Sequence, residues 1–434
     1  MISPTQQNAL PDRLRMSAPV LSLLCLLILV AAHSAVAQTF TVIHQFTGGA
    51  DGANPQDGLV MDGAGNLYGV TEFGGNVSSC VSGSQASGCG VVFKMKHSGS
   101  SWTLSPLHTF AQNGTDGSYP VGHVVFGPDG ALYGTTSGGG TNFNGAVFRL
   151  APSATACKSA LCPWTENVLY SFTYATGNQP YDVGGLAFDS TGNLYGTTTL
   201  GGNGDRGVVF EVSPAQGGWT EQTLYSFANS ETTYGAYGGV VLDPQGNLYG
   251  NLEGGCDPDC TGTIFQLYNS GSGWTQNIIY AFTGNDGDFP YAGLIRDAEG
   301  NLYGSCTGTN YGGVPAFELS PAGGGFFNYS VLTYITDGLG IGPEGNLVMD
   351  SAGNIYGTNF AGGPNFIGNV FKLTPSASGW TYTDLYDFNG QTDGGYPKSN
   401  VVLDAQGNLY GTASGCGRYE CSLGNYGVVW EITP

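Results

Sequence analysis

The sequence contains few charged residues, and positive ones are especially scarce. Of 434 residues only 10% are charged, with 32 Asp or Glu against 11 Lys or Arg. An acidic surface repels phosphate groups, so we expect no nucleic-acid partner and no attraction to anionic membranes. Cations, neutral glycans and basic proteins remain open as partners, and solubility outside the cell is the simpler reason for the charge.

Long apolar runs are confined to the N-terminus. Arg13 and Arg15 precede an apolar run over Val20–Ala32, and residues 35–37 (Ala-Val-Ala) supply the small side chains of a cleavage site. This order predicts a signal peptide over residues 1–37 that is removed on export. We therefore expect a secreted, extracellular or periplasmic protein with no membrane span in the mature chain.

An uncleaved N-terminal anchor and a lipoprotein are the alternatives to a cleaved signal peptide. Cys25 would be the lipid-modified residue of a lipoprotein. The residues before it, Ser-Leu-Leu at 22–24, lack the small side chains that such a site needs. The cleaved form is therefore favoured.

Glycine, with 74 residues, is abundant, and a phrase built on it recurs. Gly-Asn-Leu-Tyr-Gly or a close variant occurs seven times, at intervals of 53 to 65 residues. Its tyrosines are Tyr68, Tyr133, Tyr195, Tyr249, Tyr303, Tyr356 and Tyr410. Self-similarity at such a period indicates a repeat architecture. We therefore assign residues 38–434 to a single seven-repeat domain.

Each copy contains four short segments rich in β-branched and aromatic residues, which predict strands. In the third copy they are Gly185–Asp189, Asn193–Thr198, Gly207–Val212 and Trp219–Phe227. An Asp-x-x-Gly-Asn turn joins the first two, and we expect its aspartate to cap the turn, with a calcium ligand as the alternative. The recurring Tyr and Phe are expected to pack between copies. Pro315 in the fifth copy should make its third strand irregular.

Seven copies of four antiparallel strands predict an all-β fold, a seven-bladed β-propeller of four-stranded antiparallel blades. The two ends of the mature chain favour a closed ring. Phe40–Phe46 matches only the fourth strand of the repeat, and Gly427–Ile432 matches only the third. We therefore expect the N-terminal strand to complete the last blade and to leave no unpaired edge there.

The repeated phrases Gly-Leu-x-x-Asp, Gly-Asn-Leu-Tyr-Gly-Thr-Thr and Gly-x-Val-Phe-x-Leu together resemble the Gloeo-Verruco (GloVer) repeat, which occurs in tandem in exported bacterial proteins. The segments Leu186–Val212 and Val402–Ile432 carry the resemblance best, and it extends over nearly the whole mature chain. The resemblance implies an exported repeat protein and supplies no catalytic residues.

Eight of the ten cysteines form close pairs in loops. Because an exported protein meets an oxidising compartment, we predict four local disulfides: Cys80–Cys89, Cys157–Cys162, Cys256–Cys260 and Cys416–Cys421. Zinc is the competing interpretation, but no histidine lies beside any pair. Cys306 is left over and is expected to be a buried thiol.

A second repeated phrase, Asp-Gly-x-x-Pro, precedes the innermost strand of several copies. The candidate binding residues from this phrase are Asp51, Asp116, Asp286, Asp288 and Asp393. They would surround one mouth of the central channel, on the face where variable loops gather and ligands commonly bind. Calcium or a polyhydroxylated ligand would suit such a ring, whereas stabilisation of the turn is the simpler interpretation.

Motifs for catalysis are absent. The mature chain has four histidines, His44, His97, His108 and His123, and no nucleophile elbow, His-x-x-x-His pair or phosphate loop. His44 and His108 stand where other copies have tyrosine, so we interpret them as packing residues. We assign no catalytic residue and no metal ligand. Hydrolysis by two carboxylates stays open because such residues meet only in space.

The sequence thus favours a monomeric, non-catalytic binding or interaction module whose ligand, a glycan or a protein, it does not identify. One alternative is a propeller enzyme of the glycan hydrolase, lyase or lactonase type, with carboxylates near the central channel. Another is an architectural surface protein. No cofactor is assigned, although calcium is compatible with the acidic loops. The fold alone does not choose among these functions.

Overall fold

Short antiparallel strands make up the regular structure of this protein in the computed structural model. It describes residues 38–434 except residues 77, 79, 83, 84, 87, 100, 153–163, 181–184, 229–234, 255–260, 310, 311, 336–341 and 416–425. The predicted signal peptide, residues 1–37, lies outside the described residues. Within the described part of the chain, no helix has the length and hydropathy that a membrane span requires.

The strands form seven sets of four, which we number as blades in chain order. The N-terminal strand β1 is Thr39–Gln45. Blade 1 contains β2 (Val60–Met61), β3 (Leu67–Thr71), β6 (Val91–Ser98) and β7 (Ser101–Thr109), with a small hairpin, β4 (Val81–Ser82) and β5 (Gln85–Ala86), between β3 and β6. Blade 2 contains β8 (Gly117–Phe126), β9 (Leu132–Gly139), β10 (Ala146–Ala151) and β11 (Thr165–Ser171). Blade 3 contains β12 (Ala187–Phe188), β13 (Leu194–Thr197), β14 (Val208–Ala215) and β15 (Gly218–Ser226).

The remaining blades repeat the pattern. Blade 4 contains β16 (Val240–Leu242), β17 (Leu248–Leu252), β18 (Thr263–Asn269) and β19 (Trp274–Ala281). Blade 5 contains β20 (Ile295–Arg296), β21 (Leu302–Ser305), β22 (Pro315–Gly323) and β23 (Phe326–Tyr334). Blade 6 contains β24 (Val348–Met349), β25 (Ile355–Asn359), β26 (Asn369–Ser376) and β27 (Gly379–Asp387). Blade 7 contains β28 (Val402–Leu403), β29 (Leu409–Ala413) and β30 (Val428–Thr433), together with β1.

Ring closure depends on the two ends of the described chain. β1 pairs antiparallel with β30, from Thr39 opposite Thr433 to Gln45 opposite Val428. The sheet of blade 7 therefore has the order β1-β30-β29-β28, which matches the order of the other six blades. The predicted seven-bladed propeller of four-stranded antiparallel blades, closed by the N-terminal strand, is confirmed.

Aromatic side chains form the core between consecutive blades. At six of the seven interfaces, the phenylalanine after a fourth strand meets the aromatic residue of the next blade's third strand, as for Phe110 and Phe148, whose ring centroids are 5.3 Å apart. After the fourth strand of blade 5, Ile335 takes the place of the phenylalanine. At the closure, Phe46 packs on Phe93 in the same way, with centroids 5.4 Å apart. The repeated glycine of the second strand makes room for these rings, because a β-carbon at Gly134 would overlap Phe148. The predicted packing role of the repeated phenylalanines is confirmed.

The turn between the first two strands is held by its aspartate. In blade 1, Asp62 accepts hydrogen bonds from the amides of Ala64 and Asn66, both 2.9 Å, and from the hydroxyl of Tyr68 at 3.0 Å. Equivalent Asp–Tyr hydrogen bonds recur in every blade: Asp129–Tyr133, Asp189–Tyr195, Asp243–Tyr249, Asp297–Tyr303, Asp350–Tyr356 and Asp404–Tyr410. The predicted capping role is confirmed, and the repeated tyrosine serves the turn as well as the packing.

Pro315 is the first residue of β22, a position where a strand does not need the missing amide. The register does shift one step later, between Ala316 and Phe317. An equivalent shift occurs between the third and fourth strands of all seven blades. The irregularity predicted from proline is therefore a β-bulge common to the repeat.

Candidate functional site

The aspartates of the Asp-Gly-x-x-Pro phrase fold back on their own turns. Asp51 accepts hydrogen bonds from the amide and hydroxyl of Thr47 and lies 3.2 Å from Nε2 of His44. Asp393 accepts hydrogen bonds from the amide of Asn389 and the hydroxyl of Tyr386, both at 2.8 Å. Asp116 and Asp286 make the same kind of contacts, to Ala111 and His108 and to Thr283 and Tyr280. Each of these four carboxylates ties its turn to the preceding fourth strand.

Asp288 is the fifth of the predicted residues. It is half-buried, and burial raises the pKa of its carboxyl group. Its carbonyl oxygen accepts a hydrogen bond from the amide of Thr307 at 3.0 Å, which joins the loop to the end of the second strand. In the described residues, only one group of three His, Cys, Asp or Glu side chains is close enough to share an ion, and of the five predicted residues it contains Asp116 alone.

Of the four predicted disulfides, one lies within the described residues. Cys80 and Cys89 are joined by a disulfide, with their Cα atoms 5.2 Å apart. The other predicted pairs, Cys157–Cys162, Cys256–Cys260 and Cys416–Cys421, involve residues outside the described ones. Cys306 is a free, buried thiol that follows the second strand of blade 5.

A second set of polar residues gathers where the chain enters each first strand. The first strand is at one edge of every sheet, and the residues just before these strands meet between blades. The amide of Gly293 in blade 5 donates a hydrogen bond to Oδ1 of Asn346 in blade 6 at 2.8 Å. Gly58 of blade 1 lies directly against Asn400 of blade 7. The blades of a propeller surround a central channel, and we call the region formed by the loops into the first strands the channel mouth.

In blade 1, the channel mouth contains two carboxyl groups. Glu72, which follows β3, accepts a hydrogen bond from Nδ2 of Asn54 at 2.8 Å and another from Nε2 of Gln56. Asp57 is only 6% exposed. Burial and, to a smaller extent, the charge of Glu72 raise the pKa of Asp57 to about 7, although a backbone hydrogen bond at Gly122 acts in the opposite direction.

Blades 6 and 7 contribute a cation and a third carboxylate. Lys398 Nζ lies 2.7 Å from Oε2 of Glu344, and both side chains are half-buried. The same ammonium group lies 4.6 Å from the ring centroid of Phe360, a cation–π distance. Its charge also acts on Asp57 and lowers the pKa of that carboxyl group.

Blades 4 and 5 contribute a fourth carboxylate and two tyrosines. Glu253, which follows β17, accepts a hydrogen bond from the hydroxyl of Tyr291. Burial raises the pKa of Glu253, the hydrogen bonds from Tyr291 and Tyr237 lower it, and the negative charge of Glu344 raises it further. The rings of Tyr237 and Tyr291 meet edge to face, with centroids 5.5 Å apart.

These interactions form one continuous set. The charges of Glu72 and Lys398 shift the pKa of Asp57. Lys398 forms an ion pair with Glu344, and the charge of Glu344 raises the pKa of Glu253. This chain of interactions includes four carboxyl groups from blades 1, 4 and 6 and one lysine from blade 7. We call the following residues the channel-mouth cluster: Gln56, Asp57, Glu72, Tyr237, Glu253, Tyr291, Glu344 and Lys398. Aromatic pairs flank it: Phe73 with Tyr119 and Phe360 with Tyr396, at centroid distances of 5.9 and 5.2 Å.

Sequence reasoning considered the loops into the first strands as a site but did not identify the channel-mouth cluster. Its residues occupy positions at which the seven copies differ. The position of Glu72 and Glu253 holds Ser137, Thr199, Thr307, Phe360 and Ser414 in the other copies. Variation at the residue directly after the second strand was the signal in the sequence that could have identified these positions. Residues of a repeat differ between copies where packing does not require one side chain.

The fold and the channel-mouth cluster define a class of protein: a closed seven-bladed propeller with an acidic mouth flanked by aromatic side chains. The chain matches the Gloeobacter/Verrucomicrobia repeat over residues 30–161 and 74–316, which together cover more than half of its length. The protein belongs to this repeat family. Among proteins with a curated description, none matches the chain.

Solved structures resemble the chain in fold. One is the extracellular domain of a protein described as a one-component system from B. thetaiotaomicron, with 10% identity and a TM-score of 0.54. The match covers 91% of this chain and 40% of that one, so this chain spans about two fifths of its length. Another is a gluconolactonase from Xanthomonas campestris, with 15% identity, a TM-score of 0.40 and coverage of 73% and 86% of the two chains. At 10% identity, the likeness to the extracellular domain shows the fold alone.

Proposed function

We propose that this protein is an exported, non-catalytic binding module whose channel-mouth cluster binds a polyhydroxylated ligand of the glycan class. The observation that carries the proposal is the convergence of half-buried carboxylates and aromatic rings from several blades at one mouth. Export follows from the predicted signal peptide, and the extracellular domain among the similar folds is in keeping with it.

Carboxylates suit hydroxyl-rich ligands because an ionised carboxylate accepts several hydrogen bonds. Glu72 is held by two amide groups and Glu253 by tyrosine hydroxyls, all of them uncharged donors. Neither donor set neutralises the carboxylate, so each oxygen pair keeps acceptor capacity for hydroxyl groups. The rigid orientation of both side chains also lowers the entropy that ligand binding would cost.

The aromatic pairs supply the apolar half of the site. Sugar rings expose C–H groups on their faces, which pack against aromatic rings, and Tyr combines an apolar face with a hydroxyl group. Phe360, Tyr396, Phe73 and Tyr119 are half-buried, so each keeps some surface accessible. With four carboxyl groups against one lysine, the mouth disfavours anionic ligands.

The test is a glycan array with the mature chain, followed by titration calorimetry of a glycan that binds. Glu72→Gln and Glu253→Gln keep the shape and one acceptor oxygen but remove the charge. Because a hydrogen bond to a charged group contributes about 1.5–3 kcal/mol, each variant should bind about tenfold or more weakly. Glu299→Gln, an exposed position in a blade 5 turn, is the control and should bind like wild type.

Two results would contradict the proposal. If no neutral glycan binds to the wild-type protein, the ligand class is wrong. If a glycan binds but both Glu→Gln variants retain wild-type affinity, the ligand does not occupy the channel-mouth cluster.

Asp57 favours a second candidate, a hydrolase acting at the same mouth. A carboxyl group whose pKa is raised to about 7 beside the carboxylate of Glu72 resembles a general acid paired with a base. In that case a bound oligosaccharide would be cleaved, and Asp57→Asn would abolish cleavage while binding persists. Reducing-end analysis after long incubation distinguishes the two candidates, because a binding module leaves the oligosaccharide intact.

A further inference from the structure

The outer part of each blade interface repeats one arrangement of side chains. A residue near the end of a fourth strand faces a residue near the start of the next blade's fourth strand. Aromatic or hydroxyl groups dominate these pairs: Tyr170 with Glu221, Tyr225 with Gln276, Tyr280 with Tyr329 and Tyr386 with Phe40. Such pairs stabilise the interface through packing and single hydrogen bonds.

The interface between blades 1 and 2 has three ionisable groups at this place. His108 lies one residue before the end of β7, Asp116 lies in the loop into blade 2, and Glu166 lies near the start of β11. Nε2 of His108 is 3.3 Å from Oδ1 of Asp116. One ligand atom from each of the three residues lies within 4.8 Å of the others.

The two carboxylates of Asp116 and Glu166 carry more negative charge than the single imidazole of His108 can balance. Oε1 of Glu166 is buried and has no hydrogen-bond donor among the described residues. Asp116 is 8% exposed, so its carboxylate is also largely removed from water. A buried acceptor without a partner is costly, so a cation or a proton has to compensate it.

We propose that His108, Asp116 and Glu166 bind a divalent transition-metal ion of the Zn²⁺ class, which links blade 1 to blade 2. An imidazole with two carboxylates is a donor set that zinc accepts, with a fourth position open to water. At metal–ligand distances of about 2.0–2.2 Å, ligand atoms around a tetrahedral ion are about 3.4 Å apart. The His108–Asp116 distance already fits this spacing, and a small rotation of Glu166 would complete the site.

Two of the three side chains are held in place before any ion binds. The backbone amide of Ala111 donates to Oδ2 of Asp116 at 2.9 Å, which leaves Oδ1 directed at His108. The imidazole of His108 packs edge to face on Phe110, with centroids 4.7 Å apart. Fixed ligands of this kind raise metal affinity because less ordering is required on binding.

The chain contains a matched comparison at the interface between blades 7 and 1. There His44 lies 3.2 Å from Asp51, as His108 does from Asp116. The position of Glu166 on that fourth strand is occupied by Leu104, which supplies no ligand. The same His–Asp pair without the third group should not hold the ion.

Titration calorimetry of Zn²⁺ into the mature chain, after treatment with a chelator and dialysis, tests the site. Wild type and His44→Tyr should each bind one Zn²⁺ ion more than His108→Tyr binds. Glu166→Gln should strongly lower the affinity of this site for Zn²⁺. The loss of a residue that only supports a metal ligand already lowers affinity by roughly 10- to 100-fold. Tyrosine stands at the position of His108 in other copies, so His108→Tyr keeps the common packing partner.

Thermal unfolding with and without Zn²⁺ gives a second measurement. Zn²⁺ should raise the Tm of wild type and of His44→Tyr, and leave the Tm of His108→Tyr unchanged. The proposal is wrong if wild type shows no saturable Zn²⁺ binding, in which case a proton compensates Glu166. It is also wrong if His44→Tyr and His108→Tyr lose Zn²⁺ equally. Neither outcome bears on glycan binding at the channel mouth.

Discussion

Asp57 is a carboxyl group at a position where other blades have small side chains. Its counterparts include Gly122, Gly238, Ala292 and Ser399, none of which carries a charge. Packing alone would not select an aspartate there, because burying a carboxylate costs free energy. Burial raises the pKa of Asp57 to about 7, so the carboxyl group is uncharged below that pH.

Asp57→Asn should change how stability depends on pH. Because the folded state raises this pKa from 3.8 to about 7, the stabilising effect of the bound proton is complete below pH 4 and is lost as the pH rises through 7. The variant should match wild type at pH 4 and be more stable at pH 8, by up to about 4 kcal/mol at 1.36 kcal/mol per pKa unit. Urea unfolding at several pH values, with Glu299→Gln as the control, measures this. A difference that does not vary with pH would contradict it.

At the scale of the element, the turn between the first two strands fixes the start of every blade. Partial burial raises the pKa of Asp189, but hydrogen bonds from Asn193 and Thr191 outweigh burial and lower it overall. The pKa values of Asp62, Asp297 and Asp350 are lowered by equivalent hydrogen bonds. A lowered pKa means that the stabilisation is present above about pH 4 and is lost as the pH falls.

Asp189→Ala should therefore lower the free energy of unfolding by about 1–3 kcal/mol at pH 7, since it leaves turn amides and the Tyr195 hydroxyl without their acceptor. The difference from wild type should shrink below pH 4. Ser190→Ala, at the exposed neighbouring position, is the control and should have little effect. Equal urea midpoints for Asp189→Ala and Ser190→Ala would show that the turn contributes nothing.

Elements were predictable from the sequence because local chemistry repeats. The turn aspartate, the small residue under each aromatic ring and the strand order all recur in seven copies, so each copy supports the others. The third strand of blade 5 was interpreted less well. The same β-bulge occurs in all seven blades. We had attributed the irregularity to a single proline, although it comes from the strand pairing that all blades share.

At the scale of the whole molecule, function depends on residues that the sequence separates widely. Glu72 and Lys398 lie 326 positions apart, yet both act on Asp57. The sequence predicted which loops share a face, but their convergence depends on closure of the ring. The same holds for Glu166, which meets His108 only because blades 1 and 2 pack side by side.

Ring closure through β1 is the central claim, because the channel mouth exists only in a closed ring. Thr41 lies opposite Glu431 in the β1–β30 pair, and Cα atoms of such antiparallel neighbours are close enough for a disulfide. The variant with Thr41→Cys and Glu431→Cys should form this cross-link, detected by mass spectrometry of a non-reduced digest. A matched control combines Thr41→Cys with Glu211→Cys, the same strand position in blade 3, and should not. No cross-link in the first variant, or equal cross-linking in both, would contradict the closed propeller.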